Sequence, residues 1–558
     1  MPVIRLYYDD LEALTGVSIA RIKERMPLLC ADVERVELDY MDVEFFPNRP
    51  DLFSVEGVAR TLRQFLDLEP GLASYPVTNS GIELTVDESV LNVRPYVVSG
   101  VVRNLQFDSR GIESLMLLQE QLHRGLGRNR KNVSVGVHDL SKVKPPFKYL
   151  AVDPSFSFVP LDYDEEMTMA EILERHPKGI GYRYILEDKD KYPLILDSDG
   201  KVLSFPPIIN GELTRVTEST TELFLDVTGL NEHVSIALNI IATSLAERGG
   251  EIQTVVVRYP GGSGGVVNEH EKVTPNLEPT TMGVSVHESN VLIGLELDAE
   301  ECATCCARMG LGATVKSAET IEVKIPAYRY DILHPWDIIE DIAIGYGYDQ
   351  LTPELPDTVV IGEVHPIEKK EAAIRNIMTG LGYFEVFTFT LTSERKQFEW
   401  MLRMDREPEK VRVASPISTE HTMLRCSILP NLLEILAINK HRDLPQRIFE
   451  VGPVVQNFKE NYMLAAVSTH ATANFAEVKS IADAVLKEMG LADVDVVDSK
   501  DGAFFEYGRR ADIMNDGEYI GVFGELHPEV ITNFGLDHPV VGFELDISSV
   551  KSGETESS

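Results

Sequence analysis

The chain has 558 residues, and 52 Lys and Arg against 89 Asp and Glu leave a net charge of −37. That balance argues against the chain wrapping a nucleic acid by itself, because phosphate contacts rely on Lys and Arg. A nucleic-acid ligand has to be met by a local basic patch or by a partner chain; the acidity also suits raised intracellular salt, where screening weakens self-repulsion. The hydrophobic fraction of 44% is that of an ordinary globular protein, and the length suits roughly three to five domains. No apolar run nears the ~20 residues that span a bilayer. The N-terminus MPVIRLYYDDLEALTG has no apolar signal core, so a cytoplasmic chain is expected. Cys30, Cys302, Cys305, Cys306 and Cys426 make no disulfide framework, which fits a reducing compartment.

Residues 1–92 read as a first unit. Short helices are expected over Asp9–Thr15 and Ile19–Met26, and Val33–Asp42 alternates like a strand. Asn48-Arg49-Pro50-Asp51 forms a turn, read chiefly as a helix cap, before an amphipathic helix Leu52–Leu66 with Val55, Val58, Ala59, Leu62 and Leu66 inward.

Residues 93–262 form a second unit. It carries a strand Pro95–Arg103, a helix Ile112–Leu126, and further strands at Val133–Val137 and Phe205–Ile209. The loop HRGLGRNRKN offers the clearest basic patch, with His123, Arg124, Arg128, Arg130 and Lys131. It is either a solvated loop or a phosphate contact. Tyr259–Gly265, YPGGSGG, is the clearest linker.

The third unit, 268–353, contains a helix Asp298–Met309 stopped by Gly310 and Gly312. Its Cys302, Cys305 and Cys306 lack a second Cys pair or a His cluster, so they read as reduced, partly buried thiols. The unit ends in KIPAYRYDILHPWDIIEDIAIGYGYDQL. Pro335 opens a helix, and Asp337, Glu340 and Asp341 at i, i+3 and i+4 share one face, with Asp331 just before. Ile338, Ile339 and Ile342 turn inward. Four carboxylates in one place call for a hard cation, Mg²⁺ first. The alternative is a solvated acidic first turn facing the helix dipole.

The fourth unit, 365–550, opens with a helix Pro366–Leu381 and a strand Phe384–Thr392, and a tail over 551–558 is expected to be disordered. Later it carries Arg447-Ile448-Phe449-Glu450 and Gly542-Phe543-Glu544-Leu545. The chain has no fixed short repeat, P-loop or Rossmann glycine fingerprint.

The run RYDILHPWDIIEDIAIGYGYDQL resembles the end of the B5 domain in the β subunit of phenylalanyl-tRNA synthetases, and NRPDLFSVEGVARTL resembles that subunit's N-terminal B1 region. The fold class implied is multidomain α+β: a B1-like unit, a B3/B4 editing domain, a B5 domain, and a class II synthetase-like antiparallel-sheet domain without catalytic motifs. In that family Mg²⁺ is shared with the α subunit, and its acidic ligands match Asp331, Asp337, Glu340 and Asp341. The segment FPPIINGELTRVTESTTELFLDVTG resembles the B3/B4 module of the archaeal and eukaryotic type, which hydrolyses tRNA mischarged with tyrosine. Matching editing positions are Asn210, Glu212, Asp226 and Thr228, with Leu194 and Ser204 as pocket wall; Gln119, Gln121 and His123 lie on the helix that leads to the basic loop.

The resemblance also implies contact of Arg124, Arg128, Arg130 and Lys131 with tRNA(Phe), ATP and phenylalanine bound by the α subunit, and an α₂β₂ assembly. Arg447 to Glu450 echoes the second class II motif. In the third, leucine stands at 545 where a working site has an arginine that stacks on adenine, and leucine cannot replace it. The bacterial-type OB-fold insertion and C-terminal anticodon-binding domain are not expected. Two rival readings are a freestanding Mg²⁺-dependent hydrolase using the acidic cluster and a non-catalytic assembly factor.

Overall fold

A computed structural model describes residues 2–260, 270–355, 361–403, 409–491, 493–504 and 508–548. The expected linker beyond residue 260 and the tail over 551–558 lie outside the described residues. Among these, no helix is long and apolar enough to cross a membrane. The chain divides into two compact units, 1–355 and 356–558.

The first unit holds three sheets of three or more strands and a two-stranded pairing of Ser157–Phe158 with Met167–Thr168. A three-stranded antiparallel sheet orders Val3–Tyr7, Tyr40–Phe45 and Ala31–Val36. The expected strand Val33–Asp42 is therefore a hairpin. Its alternation continues through Glu37-Leu38-Asp39, but Leu38 at 99% exposure is the tip. The helix Val55–Phe65 packs beneath, capped by Ser54, with Val55, Val58, Ala59, Leu62 and Leu66 buried as their spacing predicts.

A mixed ten-stranded sheet carries the second region. Its strands run Ile209–Asn210, Val202–Phe205, Tyr192–Leu196, Phe147–Val152, Val77–Val86, Glu251–Arg258, Tyr96–Arg103, Leu223–Gly229 and Val133–Asp139. Glu271–Thr274 pairs with Glu251–Arg258. The expected boundary at 92 shifts as a result, because Val77–Val86 sits inside this sheet, parallel to both its neighbours. The expected strand Phe205–Ile209 is also interrupted. Pro206-Pro207-Ile208 makes a turn, since proline gives no N–H to a ladder. The helix Ser109–Arg124, capped by Asp108, and the helix His233–Ala246 share one apolar core with the N-terminal helices.

A second three-stranded sheet, Thr280–Ser285, Thr320–Ile325 and Gly312–Ser317, packs with the helices Ala299–Arg308 and Pro335–Tyr346. Cys302, Cys305 and Cys306 lie in that core. Burial pushes the Cys302 thiol up to about 11.

In the second unit a seven-stranded sheet orders Phe384–Glu385, Gln446–Gln456, Lys459–Thr469, Val540–Asp546, Glu518–Glu525, Arg510–Asn515 and Asp495–Asp498. Apolar clusters that include the helices Pro366–Gly380, Phe475–Glu488 and Leu429–Ile438 flank it. The expected strand Phe384–Thr392 reduces to Phe384–Glu385 and Leu391–Thr392, and Phe387 and Phe389 between them are exposed. Alternation there lacks a partner strand to complete a ladder.

The helix Ala299–Arg308 begins with a capping box in which Asp298 accepts from Glu300 N and Glu301 N. Asp298→Ala is expected to cost about 1 kcal/mol, read as a lower urea midpoint of the full chain; an unchanged midpoint would show that the box contributes nothing.

Candidate functional sites

A cavity of about 380 Å³ opens between the helix Ser109–Arg124, the strands Val133–Asp139 and Leu223–Gly229, and the turn at residues 206–208. Its polar floor follows from register. Asp226 pairs directly with Gly136 across the antiparallel ladder. His138 projects on the same face as Gly136, two residues along. A Cβ on Gly136 would overlap the Asp226 carboxylate and the His138 ring. Glycine therefore lets Asp226 reach across to His138.

These groups form one hydrogen-bonded chain. Thr214 Oγ1 lies 2.8 Å from His138 Nδ1, and His138 Nε2 lies 2.7 Å from Asp226 Oδ2. Ser204 Oγ donates to the same Oδ2 at 3.1 Å. All four side chains are buried. Nearer the helix, Gln119 Nε2 donates to Val135 O at 2.7 Å, and Asn210 Nδ2 donates to Val137 O at 3.2 Å.

Of the expected editing residues, Asp226, Ser204, Asn210, Gln119 and His123 line the cavity. Leu194 is buried in the core behind it, with Phe205 and Ile209. Glu212 does not line it either. Its carboxylate is engaged by Arg215 at 2.7 Å and 2.8 Å and accepts from Asp162 N at 2.9 Å. Thr228 lies outside as well: Arg94 Nε donates to its hydroxyl at 2.9 Å. Gln121 faces away, since only residues three or four apart share a helix face with Gln119 and His123. His123 accepts from Val135 N through Nε2 at 2.9 Å. Burial pushes its pKa down to about 4 against the pull of Glu120, so the ring is neutral at neutral pH. Its Nε2 is thus committed to the backbone rather than to a substrate.

The basic loop divides in two. Arg124, Arg128 and Lys131 are exposed. Arg130 is buried: it donates to Ile208 O at 2.8 Å, pairs with Glu120 at 2.6 Å and stacks on Tyr182 with its guanidinium 4.5 Å from the ring centre. It is therefore a cavity wall, not a free phosphate contact. His123, Arg130 and Lys178 hold the Glu120 carboxyl well below the usual range despite its partial burial. Arg128, Asn129 and Arg130 all take positive φ, of 45°, 55° and 65°, which is unfavourable for L-residues. Arg94, fully buried, steadies the turn by donating to Lys131 O and Arg130 O at 2.9 Å and 3.1 Å. Burial lowers its pKa to about 10.

The acidic motif does not gather its four carboxylates. Arg329 holds Asp331 through two bonds of 2.8 Å and 2.6 Å and Asp341 through a third of 2.8 Å. Asp337 caps the helix Pro335–Tyr346, accepting from Leu333 N and His334 N at 2.7 Å each. Glu340 is exposed. Ile338, Ile339 and Ile342 are buried as expected. No three of the four acids bring oxygens within 4.8 Å; among the described residues the group that does is Asp32, Glu34 and Glu44. This chain alone therefore offers no closed ligand set. A hard cation would find Glu340 and part of Asp337 at the surface, with Asp331 and Asp341 already compensated by Arg329.

Arg49 and Asp51 also have more than a capping role. They form a second bidentate pair, at 2.9 Å and 2.8 Å, beside Arg329. Arg49, Asp331, Glu340 and Asp341 line one small cavity of about 70 Å³. Burial pushes the Asp51 carboxyl up, but Arg49, Arg329 and Arg60 outweigh it and hold it below the usual carboxylate range. The repeated Arg-x-Asp in NRPD and YRYD was the available sequence signal for both pairs.

In the second unit, Glu450 is held by Arg425 at 2.6 Å and by Thr388 at 2.6 Å. Glu544 accepts from Ile428 N at 2.6 Å at the start of the helix Leu429–Ile438. Leu545 lies in the core. Arg447 reaches Glu477 at 3.4 Å. All four residues at the positions that echo class II motifs are thus engaged within the fold.

Residues 282–348 match the tRNA synthetase B5 domain family, and residues 351–547 match the phenylalanyl tRNA synthetase beta chain CLM domain family. Together they mark a multidomain α+β chain of the aminoacyl-tRNA synthetase class. The phenylalanine–tRNA ligase beta subunit of Methanosarcina acetivorans is 54% identical over 550 residues, covering 99% of each chain. That of Archaeoglobus fulgidus is 52% identical over 551 residues, covering 98% of each. A crystal structure of an N-terminal fragment of the phenylalanyl-tRNA synthetase β subunit from Pyrococcus horikoshii aligns with a TM-score of 0.59 at 38% identity, covering 62% of this chain and 99% of that one. The chain belongs to the phenylalanine–tRNA ligase β-subunit family.

Removing Arg329 leaves Asp331 and Asp341 without their shared partner. Arg329→Ala is expected to destabilise the first unit by about 3–5 kcal/mol, read as a large drop in its unfolding midpoint; a loss under about 1 kcal/mol would show that the pairs are dispensable. Because the Asp51 pKa is depressed on folding, its contribution is present above about pH 4 and is lost as pH falls further. Acid titration of Arg49→Met should therefore show a shallower fall in stability below pH 4 than the parent chain.

Proposed function

We propose that this chain works with an α subunit that binds ATP and phenylalanine, in an α₂β₂ ligase that charges tRNA(Phe), and that its cavity hydrolyses Tyr-tRNA(Phe). The observation that carries the hydrolytic reading is the Asp226 carboxylate, held by His138 and Ser204 in the floor of the 380 Å³ cavity. A carboxylate there accepts hydrogen bonds and cannot donate them. A substrate hydroxyl satisfies it, whereas a phenyl edge leaves a buried polar group unpaired, so a phenylalanyl ester is rejected more strongly than shape alone allows. Gln119, Asn210 and Ser204 supply further polar contacts along the wall. The aminoacyl ester is already reactive. Water attacks its carbonyl carbon, the ester C–O bond breaks, and the products are tyrosine and tRNA with a free ribose hydroxyl. A positioned water suffices, and no protein nucleophile is assigned.

The exposed Arg124, Arg128 and Lys131, on a turn that Arg94 fixes beside the cavity wall, are suited to phosphates of the acceptor end. Mg²⁺ belongs to this proposal as an ion held jointly with the α subunit. Glu340 and Asp337 would be its most accessible ligands here, with Asp331 and Asp341 behind them, and the ion would supply positive charge beside this acidic surface. In the second unit the commitments of Glu450 and Glu544 support placing ATP chemistry on the α subunit.

Two measurements test this reading. In the complex with the α subunit, Asp226→Ala is expected to slow Tyr-tRNA(Phe) deacylation at least ~10-fold, raising net Tyr-tRNA formation while sparing Phe-tRNA formation. Unchanged deacylation would remove Asp226 from the site. The double variant Asp337→Asn, Glu340→Gln should lose bound Mg²⁺ by elemental analysis of the complex and weaken assembly; retention of both would sink the shared-ion assignment.

A further inference from the structure

His138 is buried completely, lies in the cavity floor and has no part in the water attack described above. Its two ring nitrogens are both used, at 2.8 Å to Thr214 Oγ1 and 2.7 Å to Asp226 Oδ2. A carboxylate only accepts, so Nε2 carries a proton whatever the charge of the ring. In the neutral ring Nδ1 then accepts from the Thr214 hydroxyl, which fixes the tautomer. Ser204 donates to the same oxygen of Asp226. Both bonds thus fall on Oδ2, which leaves Oδ1 for the cavity that Asp226 lines. Gly136 clears the path between ring and carboxylate. Beyond these partners, Arg94 and Tyr149, both fully buried, are the titratable groups whose pKa values the Asp226 charge raises.

We infer that His138 is a positioning residue for ester hydrolysis in this cavity: its Nε2–H pins one oxygen of Asp226 so that the other meets the hydroxyl of a bound tyrosyl group. The inference rests on the ester-hydrolase reading. Thr214 acts one step further back, by holding the ring in the donating tautomer. The arrangement has the order hydroxyl, imidazole, carboxylate that also occurs in nucleophilic triads. Here the carboxylate end, rather than the hydroxyl end, carries the specificity. Without the Nε2–H, Asp226 loses the bond that orients it, and its preference for a hydroxylated side chain is lost.

The test compares deacylation of Tyr-tRNA(Phe) and Phe-tRNA(Phe) by the complex of this chain with its α subunit. His138→Phe keeps a planar ring without the donor; it is expected to lower kcat for the tyrosyl ester ~10- to 100-fold and to reduce the Tyr-over-Phe preference by a similar factor. His138→Gln restores an N–H donor and should recover activity to within about 5-fold together with the preference, which a purely structural role would not produce. Thr214→Val should cost several-fold in preference. A folded His138→Phe complex with parental rate and preference overturns the inference, as does a His138→Gln complex no better than His138→Phe. If thermal melting shows that His138→Phe does not fold, an unchanged preference in Thr214→Val overturns it. If the parental complex itself fails to favour the tyrosyl ester, the ester-hydrolase reading falls, and the inference falls with it.

Discussion

Arg329, with its side chain at 2% exposure, binds Asp331 and Asp341 and lies beside the Arg49–Asp51 pair. Charges buried this deeply are tolerated only when each has a partner. The network joins the turn before the helix Val55–Phe65 to the helix Pro335–Tyr346, nearly three hundred residues away in the chain. Apolar packing supplies most of the cohesion here, but it is non-directional. Each bidentate pair is local to its own turn; the single Arg329–Asp341 bond ties one turn to the helix, and the opposite charges of Asp51 beside Arg329 and Asp331 beside Arg49 favour the meeting of the two turns. The same network changes the meaning of the acidic motif: two of its carboxylates are structural counter-ions, a third is a helix cap, and Glu340 alone is exposed.

The cavity depends on a different constraint, the register of one antiparallel ladder. Asp226 opposite Gly136 places a carboxylate over the only residue type that leaves room for it. A shift by one residue would turn Asp226 to the other face of the sheet. The wall is finished by a turn held in an unfavourable backbone conformation, whose carbonyls are satisfied by buried Arg94 and whose Arg130 is spent on the opposite wall. A rigid floor and a rigid rim of this kind suit discrimination between ligands that differ by one polar atom.

The second unit satisfies its buried acidic side chains from within the fold. Glu450 and Glu544 keep their places on the strands Gln446–Gln456 and Val540–Asp546, yet Arg425 and the start of the helix Leu429–Ile438 use their oxygens. Leu545 packs into the core. Buried polar groups would be costly if unpaired, and internal partners remove that cost.

Much of this protein was legible in its sequence. Helical periodicity placed Val55–Phe65, Ser109–Arg124 and Pro335–Tyr346, because a 3.6-residue repeat of apolar side chains has one packing solution. Local motifs were specific enough to indicate the family, and of the residues they pointed to, Asp226, Ser204 and Asn210 line the cavity. Alternation over-extended the strands at Val33–Asp42 and Phe384–Thr392, since a period of two says nothing about where a partner strand ends. The sequence could also not separate Asp226 from Thr228, or Arg128 from Arg130. Each pair shares a residue type or a neighbourhood, and long-range partners sort them: His138 against Arg94 in the first, solvent against Glu120 and Ile208 in the second. His138 and Arg329 stayed hidden for the same reason. Their roles arise only when residues 76 positions apart, or an arginine and two carboxylates flanking a turn, are brought within hydrogen-bond distance by tertiary packing.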